Sequence, residues 1–535
     1  MVASSSFGFA SNYSYGRPIY LFSLFLLVLA SGSRSCCGLG TFGFDFHHRF
    51  SDPVKGILGF DGLPELGTVD YYSVMVHRDH LIRGRHLAAD DQTTLAFYNS
   101  NETYQLGGAL GYLHYANVSL GTPSSSYFVA LDTGSDLFWL PCDCSSCVHG
   151  GLKSETGEVL VKFNIYSPNS SSTSKKVSCD NSLCQRRQQC PSESSDCPYQ
   201  VVYLSNGTSS TGILVEDVLH LSTDDDQLKG VDAQITFGCG KVQTGSFLEG
   251  AAPDGLLGLG IKDVSVPSIL AKQGLTSNSF SMCFGPDGLG RIKFGDNGSL
   301  DQGQTPFNLR QSHPTYNITV TQITVEGTTA DLEFNAVFDS GTSFTYLNDP
   351  AYTQITESFN SQAKDKRHTN TTDIPFEYCY DLNIRPNQTS FTIQYPSINL
   401  TMKGGHQFNL TESILVASIG GGRLVYCLGV VKSDDINIIG QNFMTGYQII
   451  FDREKLVLGW KPSNCFDDEQ TTTLPINPSD SPAVSPTGNV TPEATAGSSN
   501  NSATSAGQPP RNHSPVLSPF TCALMLILLP FIANF

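Results

Sequence analysis

The chain has 535 residues, with 31 Lys and Arg against 49 Asp and Glu, giving a formal net charge of −18; that length allows two or three folded units with sizeable cores. A hydrophobic share of 39% excludes a multi-span membrane protein, and the acidic balance argues against nucleic acid, whose phosphates need clustered Lys and Arg. Only 15% of residues are charged, while 50 glycines and 28 prolines favour an all-β fold over a helical one.

Near the start, Arg17 precedes an apolar run from Ile19 to Ala30, closed by Ala30-Ser31-Gly32. This is the layout of a secretory signal peptide over residues 1–32, and the run is shorter than a membrane span requires. Residues 33–110 show no convincing core pattern and are expected to form a removable propeptide. Their most distinctive stretch is His77-Arg78-Asp79-His80-Leu81-Ile82-Arg83-Gly84-Arg85-His86, the densest basic run in an acidic chain. A solvated surface helix is the common use of such a run and stands as the alternative.

From Tyr112 to Cys465, short runs of Val, Ile, Phe, Tyr and Thr alternate with Gly, Pro, Asn and Asp. Tyr115–Leu120, Tyr127–Leu131, Gln234–Phe237, Ile318–Val325 and Ile449–Phe451 are predicted strands joined largely by hairpins. Pro267–Leu275 and Ala351–Asp365 read as short helices. Residues 111–300 and 301–468 are expected to form two lobes. Beyond them, 469–505 is rich in Ser, Thr and Pro, cannot bury a core, and reads as a glycosylated stalk. The terminus is apolar from Val516 to Phe535 and lies behind a polar spacer and the small trio Ser505-Ala506-Gly507. That is the pattern of a GPI-attachment signal over 506–535, with attachment at Ser505 or, with a longer spacer, at Asn501. An ordinary transmembrane helix is the alternative, weakened by Pro519 and Pro530 and by the lack of a basic stop. The expected location is the extracellular face of the plasma membrane.

Of fifteen cysteines, those between Cys142 and Cys465 are even in number, as disulfides in an oxidising compartment require. Cys142, Cys144 and Cys147 form a C-x-C-x-x-C group, but no matching Cys/His set follows at zinc-finger spacing, so no metal and no cofactor is expected. Sequons at Asn101, Asn117, Asn169, Asn206, Asn297, Asn317, Asn370, Asn387, Asn399 and Asn409 suit a glycosylated exterior.

One pattern occurs twice. Phe128-Val129-Ala130-Leu131-Asp132-Thr133-Gly134-Ser135 is echoed by Asn335-Ala336-Val337-Phe338-Asp339-Ser340-Gly341-Thr342. By composition, two such matches behind apolar strands would arise in about one chain in a thousand. Each copy also has a later apolar-apolar-Gly partner, Leu256-Leu257-Gly258 and Ile438-Ile439-Gly440. The repeat implies two related lobes, each presenting one carboxylate on a turn. In each turn, Gly permits the tight path and offers its N–H, while the hydroxyls fix the carboxylate. An Asp beside Gly is most often a mere turn former, and either copy alone would be read that way. Two carboxylates at about 3 Å repel by on the order of 5 kcal/mol at an effective dielectric near 20, so the pair shares one proton. One member then serves as general base towards a water while the protonated member polarises a carbonyl.

Asp132-Thr133-Gly134 and Asp339-Ser340-Gly341, with their apolar-apolar-Gly partners, resemble the signature of pepsin-type aspartic proteases. The shared proton is a known property of that family and is carried over by the resemblance. The resemblance covers about Tyr112 to Cys465, and the cysteine-rich insert between Cys142 and Cys197 is similar to the plant nepenthesin-like branch. It implies a bilobal all-β fold with a central cleft, and a secreted, monomeric endopeptidase acting on peptides. It also implies a flap in the hairpin Tyr199–Gly212, where Asn206-Gly207 is a strong type I′ turn signal. Tyr203 would be the flap tyrosine and Trp139 its hydrogen-bond partner; plain packing is the alternative for both. The nepenthesin pattern would pair Cys142 with Cys144, Cys147 with Cys239, Cys179 with Cys197, Cys184 with Cys190, Cys283 with Cys465 and Cys379 with Cys427. Rival readings of the same scaffold are a non-catalytic inhibitor of cell-wall glycosidases and an adhesion glycoprotein. Both triplets are intact, which speaks against the first of these.

Overall fold

The structure, a computed structural model, describes residues 40–466 except 52–53, 55–63, 83–93, 97–102, 106–111, 149–151, 154–158, 162, 204–206, 224–228, 310–313, 370–373 and 383–392. The expected signal peptide, stalk and GPI signal with Ser505 and Asn501 lie outside the described residues, as do Asn101, Asn206, Asn370 and Asn387. Among the described residues, no helix is long and apolar enough to cross a membrane.

Side-chain alternation generates most of the strands. Leu289–Phe294 buries every second residue, as does the end of Asn317–Val325 from Ile323 onward, so one face of each meets a core. The strand Ser125–Asp132 is buried at every position from Tyr127 onward, which marks a strand covered on both faces. A large sheet runs from the hairpin Pro198–Val202 and Ser209–Ser222, through Ser125–Asp132 and His114–Leu120, to Tyr447–Asp452 and Val457–Pro462. It therefore joins strands of both lobes through one continuous hydrogen-bond network. A second sheet of seven strands contains Asn317–Val325, Thr328–Phe338, Thr345–Leu347 and Ile438–Ile439. The helices Val266–Lys272 and Ala351–Gln362 fall where the sequence predicts them.

The repeat is also topological. Leu256–Gly258 pairs in parallel with Ala130–Asp132, and Leu256 pairs antiparallel with Trp139. In the other lobe, Ile438–Ile439 pairs in parallel with Val337–Phe338, and Ile438 pairs antiparallel with Tyr346. Each apolar-apolar-Gly strand is thus wedged between the strand that leads to an aspartate and the one that leaves it.

Part of residues 33–110 is core, although no core pattern is legible there in the sequence. Phe42–His48 lies in the large sheet between His114–Leu120 and Leu289–Phe294, antiparallel to both, and buries Phe42 and Phe46. The helix Val69–Ile82 buries Val69, Tyr71, Tyr72, Val74, Met75 and Val76 against Phe344, Tyr346 and Phe376 of the second lobe. Arg78 and Asp79 within its basic run are 0% and 1% exposed, so the described part of this run is not a solvated surface helix. The less-buried positions, Asp70, Ser73, His77 and His80, line one face, but Arg78 and Asp79 put charge on the buried side and so mask that period in the sequence.

The disulfides correct four of the expected pairs. Cys142 bonds to Cys239, Cys144 to Cys147, Cys179 to Cys190, and Cys184 to Cys197. Cys142 sits on a strand parallel to the one carrying Cys239, with Cα atoms 4.9 Å apart, which leaves Cys144 to the nearby Cys147. In the insert, the Cys179 N–H donates to the Ser195 carbonyl, so Cys197 is displaced along the ladder and out of register with Cys179. Cys283 bonds to Cys465 and Cys379 to Cys427, matching the expected pairing.

Among the sequons, Asn117, Asn169 and Asn409 are exposed, and Asn317 and Asn399 are half-buried. Asn297 is a correction: it is 4% exposed and its Nδ2 donates to Ser277 Oγ, which leaves no room for a glycan on that nitrogen. Non-reducing peptide mapping is expected to recover Cys142 joined to Cys239 and Cys179 joined to Cys190. A fragment joining Cys142 to Cys144 would contradict this framework.

Candidate active site

Asp132 ends its strand and Asp339 immediately follows Phe338. Each is held by its own turn in the same way. The Gly134 N–H donates to Asp132 Oδ1 at 2.9 Å and Ser135 Oγ donates to Oδ2 at 2.6 Å. The Gly341 N–H donates to Asp339 Oδ1 at 2.8 Å and Thr342 Oγ1 donates to Oδ2 at 2.6 Å. The turns also grip each other: Thr133 Oγ1 lies 3.2 Å from Ser340 Oγ and accepts from the Ser340 N–H at 3.3 Å. All eight residues of the two turns are therefore brought to one place.

The glycines are sterically required. A methyl group on Gly341 would sit 3.1 Å from Asp339 Oδ1 and 3.8 Å from Asp132 Oδ1, so both carboxylates converge on that space. A methyl on Gly258 would lie 2.4 Å from the Asp136 carbonyl carbon, and one on Gly440 would lie 2.1 Å from the Phe344 carbonyl oxygen. This close approach of backbone to backbone explains why both apolar-apolar-Gly partners end in glycine.

Asp132 is 5% exposed and its carboxyl is pushed up to about 7. Burial is the main cause and the nearby Asp339 charge adds to it, while the Ser135 and Gly134 hydrogen bonds pull the other way. The group therefore holds a proton across the acidic range.

Tyr203 and Trp139 meet as expected: Trp139 Nε1 donates to the Tyr203 hydroxyl at 2.9 Å, and both are buried. The Tyr203 hydroxyl is also bonded to Ser135, whose own proton goes to Asp132. A chain of donors thus runs from Trp139 through Tyr203 and Ser135 to the Asp132 carboxylate. Tyr203 lies in the flap hairpin, whose strands pair with Tyr199 opposite Gly212. Plain packing is not the whole role of either ring.

Other contributors were missed because no local pattern marks them. Phe247 packs edge-on to both Trp139 and Tyr203, at 4.8 and 5.0 Å between ring centroids. Tyr316 Oη donates to the Leu259 carbonyl at 2.7 Å, and Arg453 Nη1 donates to the Gly260 carbonyl at 2.6 Å. Those two residues in turn donate their N–H groups to the carbonyls of Asp132 and Ser135, at 2.8 Å each. Second-lobe side chains thereby brace the first aspartate turn. From the N-terminal helix, Arg78 Nη1 donates to the Gly341 carbonyl at 3.0 Å. Asp79 accepts from the Ser343 N–H and Oγ, the Phe344 N–H and the Tyr346 hydroxyl. The basic run was the only sequence signal for this contact.

Family models described as the xylanase inhibitor N-terminal and C-terminal domains match residues 114–296 and 315–462. Aspartyl protease family protein 1 of Arabidopsis thaliana is 59% identical over 90% of this chain and 93% of its own length. The chain belongs to the plant pepsin-like aspartic protease family. Other relatives are aspartic proteinase-like protein 1 of Arabidopsis thaliana, 36% identical over 84% of this chain and 85% of its own, and aspartic proteinase nepenthesin-2 of Nepenthes gracilis, 27% identical over 65% and 77%. The crystal structure of basic 7S globulin from soybean shares the fold, with a TM-score of 0.50 at 22% identity over 69% of this chain and 96% of that one. This chain is an aspartic-type peptidase.

The Asp132 proton sets the upper pH limit of such a site. Activity is expected to fall as pH rises through about 7, because ionised Asp132 leaves two facing negative charges. Ser135→Ala removes a hydrogen bond that favours the charged form, so the alkaline limb should move up by about half to one pH unit. A pH–rate profile reads this directly, and a limb that moves down would contradict the assignment.

Proposed function

We propose that the chain is a secreted, GPI-anchored aspartic endopeptidase made as a precursor and acting on peptides in acidic surroundings. The observation that carries the catalytic part is the convergence of two identically held carboxylates over Gly341, one of them protonated below about 7. Asp339, the partner carboxyl, takes a proton from water while the water oxygen attacks the scissile carbonyl carbon. Asp132 gives its proton to the carbonyl oxygen, forming a neutral tetrahedral diol with no covalent bond to the enzyme. Collapse breaks the C–N bond as the amine nitrogen receives a proton from Asp339 and a diol hydroxyl returns its proton to Asp132, which leaves a carboxylic acid and restores the pair. Tyr203, at the turn end of the paired flap strands, orients Ser135 and through it the Asp132 carboxylate.

The N-terminal helix supports the precursor reading, because it packs directly on the turn that carries Asp339. Residues 33–110 would leave as a propeptide, and acid would weaken their hold. The apolar C-terminus behind a Ser/Thr/Pro-rich stretch supports the anchor, and the framework of disulfides supports the secretory route. Likeness to nepenthesin-2 supports placement near that branch. A non-catalytic binding protein, suggested by the names of the matching family models, would need neither acid.

Purified, acid-treated protein is expected to digest denatured haemoglobin at acidic pH, and Asp132→Asn and Asp339→Asn should each lose at least about a thousandfold in rate. Equal activity in the variants would remove the mechanism and favour the binding reading. Phosphatidylinositol-specific phospholipase C is expected to release the protein from membranes in soluble form; retention after complete digestion would point to the transmembrane alternative.

A further inference from the structure

The N-terminal segment and the body of the enzyme each contribute one histidine to a shared buried site. His48 closes the strand Phe42–His48 and pairs directly across the sheet with His114. Their rings are 5.5 Å apart, edge to face, and are only 9% and 2% exposed. Phe46, Phe50 and Phe284 enclose them. His114 is also hydrogen-bonded to the backbone of Ser340, in the second catalytic turn. The pair therefore spans the boundary between the segment and the catalytic machinery.

The other charges here are mostly positive. Arg49 is 1% exposed and donates to the Tyr115 hydroxyl at 2.6 Å; Arg78 is 0% exposed and pairs with Asp79 at 2.8 Å. Asp79 is already committed to Arg78 and to Ser343, Phe344 and Tyr346. Other titratable groups on and around the segment include Tyr71, Tyr72, Tyr112 and Tyr115, which burial keeps neutral, Asp132, which acts on Tyr112, Asp45, which pairs with Arg291, and His47 on the same strand. On the helix itself, half-buried His77 is lowered by burial, and His80 packs edge-on to Tyr346.

We propose that His48 and His114 are the proton acceptors whose ionisation drives the N-terminal segment off the catalytic turns. This rests on the precursor reading above and deepens it by naming the groups that sense acid. Burial holds His48 down at about 3 and His114 well below the ordinary imidazole range, with Arg78 repelling a proton from both and Arg49 from His48. Once the strand leaves, both rings meet water and take protons near 6.5. Below that pH the released state binds two more protons than the docked state. Each ring then weakens docking about tenfold per pH unit, and the two together about a hundredfold. Above about 6.5 the pair contributes no pH dependence.

The test uses the full-length precursor carrying Asp132→Asn, which prevents self-cleavage and removes that carboxyl from the titration. Hydrogen exchange of amides in 42–48 and 69–80, corrected for intrinsic rates, gives the opening constant of the segment between pH 4.5 and 7. Each histidine of the pair is expected to steepen the rise below pH 6 by about tenfold per unit, so that one such factor is lost in His48→Phe and both in His48→Phe/His114→Phe, which keeps only the shallow rise left by half-buried His77. The same proton counts are expected for the Gln versions, which serve if the Phe variants do not fold. A steep rise in the double variant, or a flat profile with both histidines present, would overturn the proposal. A precursor with Asp132 intact that is fully active at neutral pH would instead sink the precursor reading, whatever the exchange slopes show.

Discussion

Two carboxylates from opposite lobes can be buried face to face only if each is locked by donors of its own and the two turns are tied together. Here each carboxylate receives one glycine N–H and one hydroxyl, and Thr133 and Ser340 close the contact between the lobes. These bonds fix the geometry that forces one proton to be shared, because low exposure and a facing charge together disfavour the doubly ionised state. Much of the remaining fold serves this arrangement. The two apolar-apolar-Gly strands wedge the turns from below, and glycine is needed where backbone meets backbone at little more than 2 Å from a would-be methyl.

The continuous large sheet explains why the lobes keep register. Strands Ser279–Phe284 and Tyr447–Asp452 pair directly, and the loop between the last two strands sends Arg453 back to Gly260 in the first lobe. Tyr316 does the same through Leu259. Losing such a buried, multiply bonded arginine would leave its carbonyl and hydroxyl partners unpaired, which costs more than the net worth of the bonds themselves.

The N-terminal segment occupies a place that looks structural and is chemically unusual. Its strand completes the large sheet, while its helix sets a buried ion pair, Arg78 and Asp79, against the Asp339 turn. Breaking a buried pair by removing one partner is costly, so the contact is tight while it lasts. Around it are two imidazoles that must stay neutral, and acid opposes that condition. A tight lock and an acid-sensitive latch are thus built from neighbouring residues.

The strands, both short helices, the two-lobed plan and the aspartate pair were legible in the sequence, since each rests on a local pattern: side-chain alternation, turn chemistry, or a repeated motif. Tyr203 and Trp139 were legible only through resemblance, because nothing in their spacing alone distinguishes a functional hydrogen bond from packing. Disulfide partners were not legible in the insert, where ladder register decides which sulfur faces which. Nor was the core role of Phe42–His48 and Val69–Ile82, since the helix carries two charged residues, Arg78 and Asp79, on its buried side. The sequence by itself determined which residues can share a proton. The tertiary structure alone decided what surrounds them, because burial, charge and contact across hundreds of residues are properties of packing rather than of neighbours along the chain.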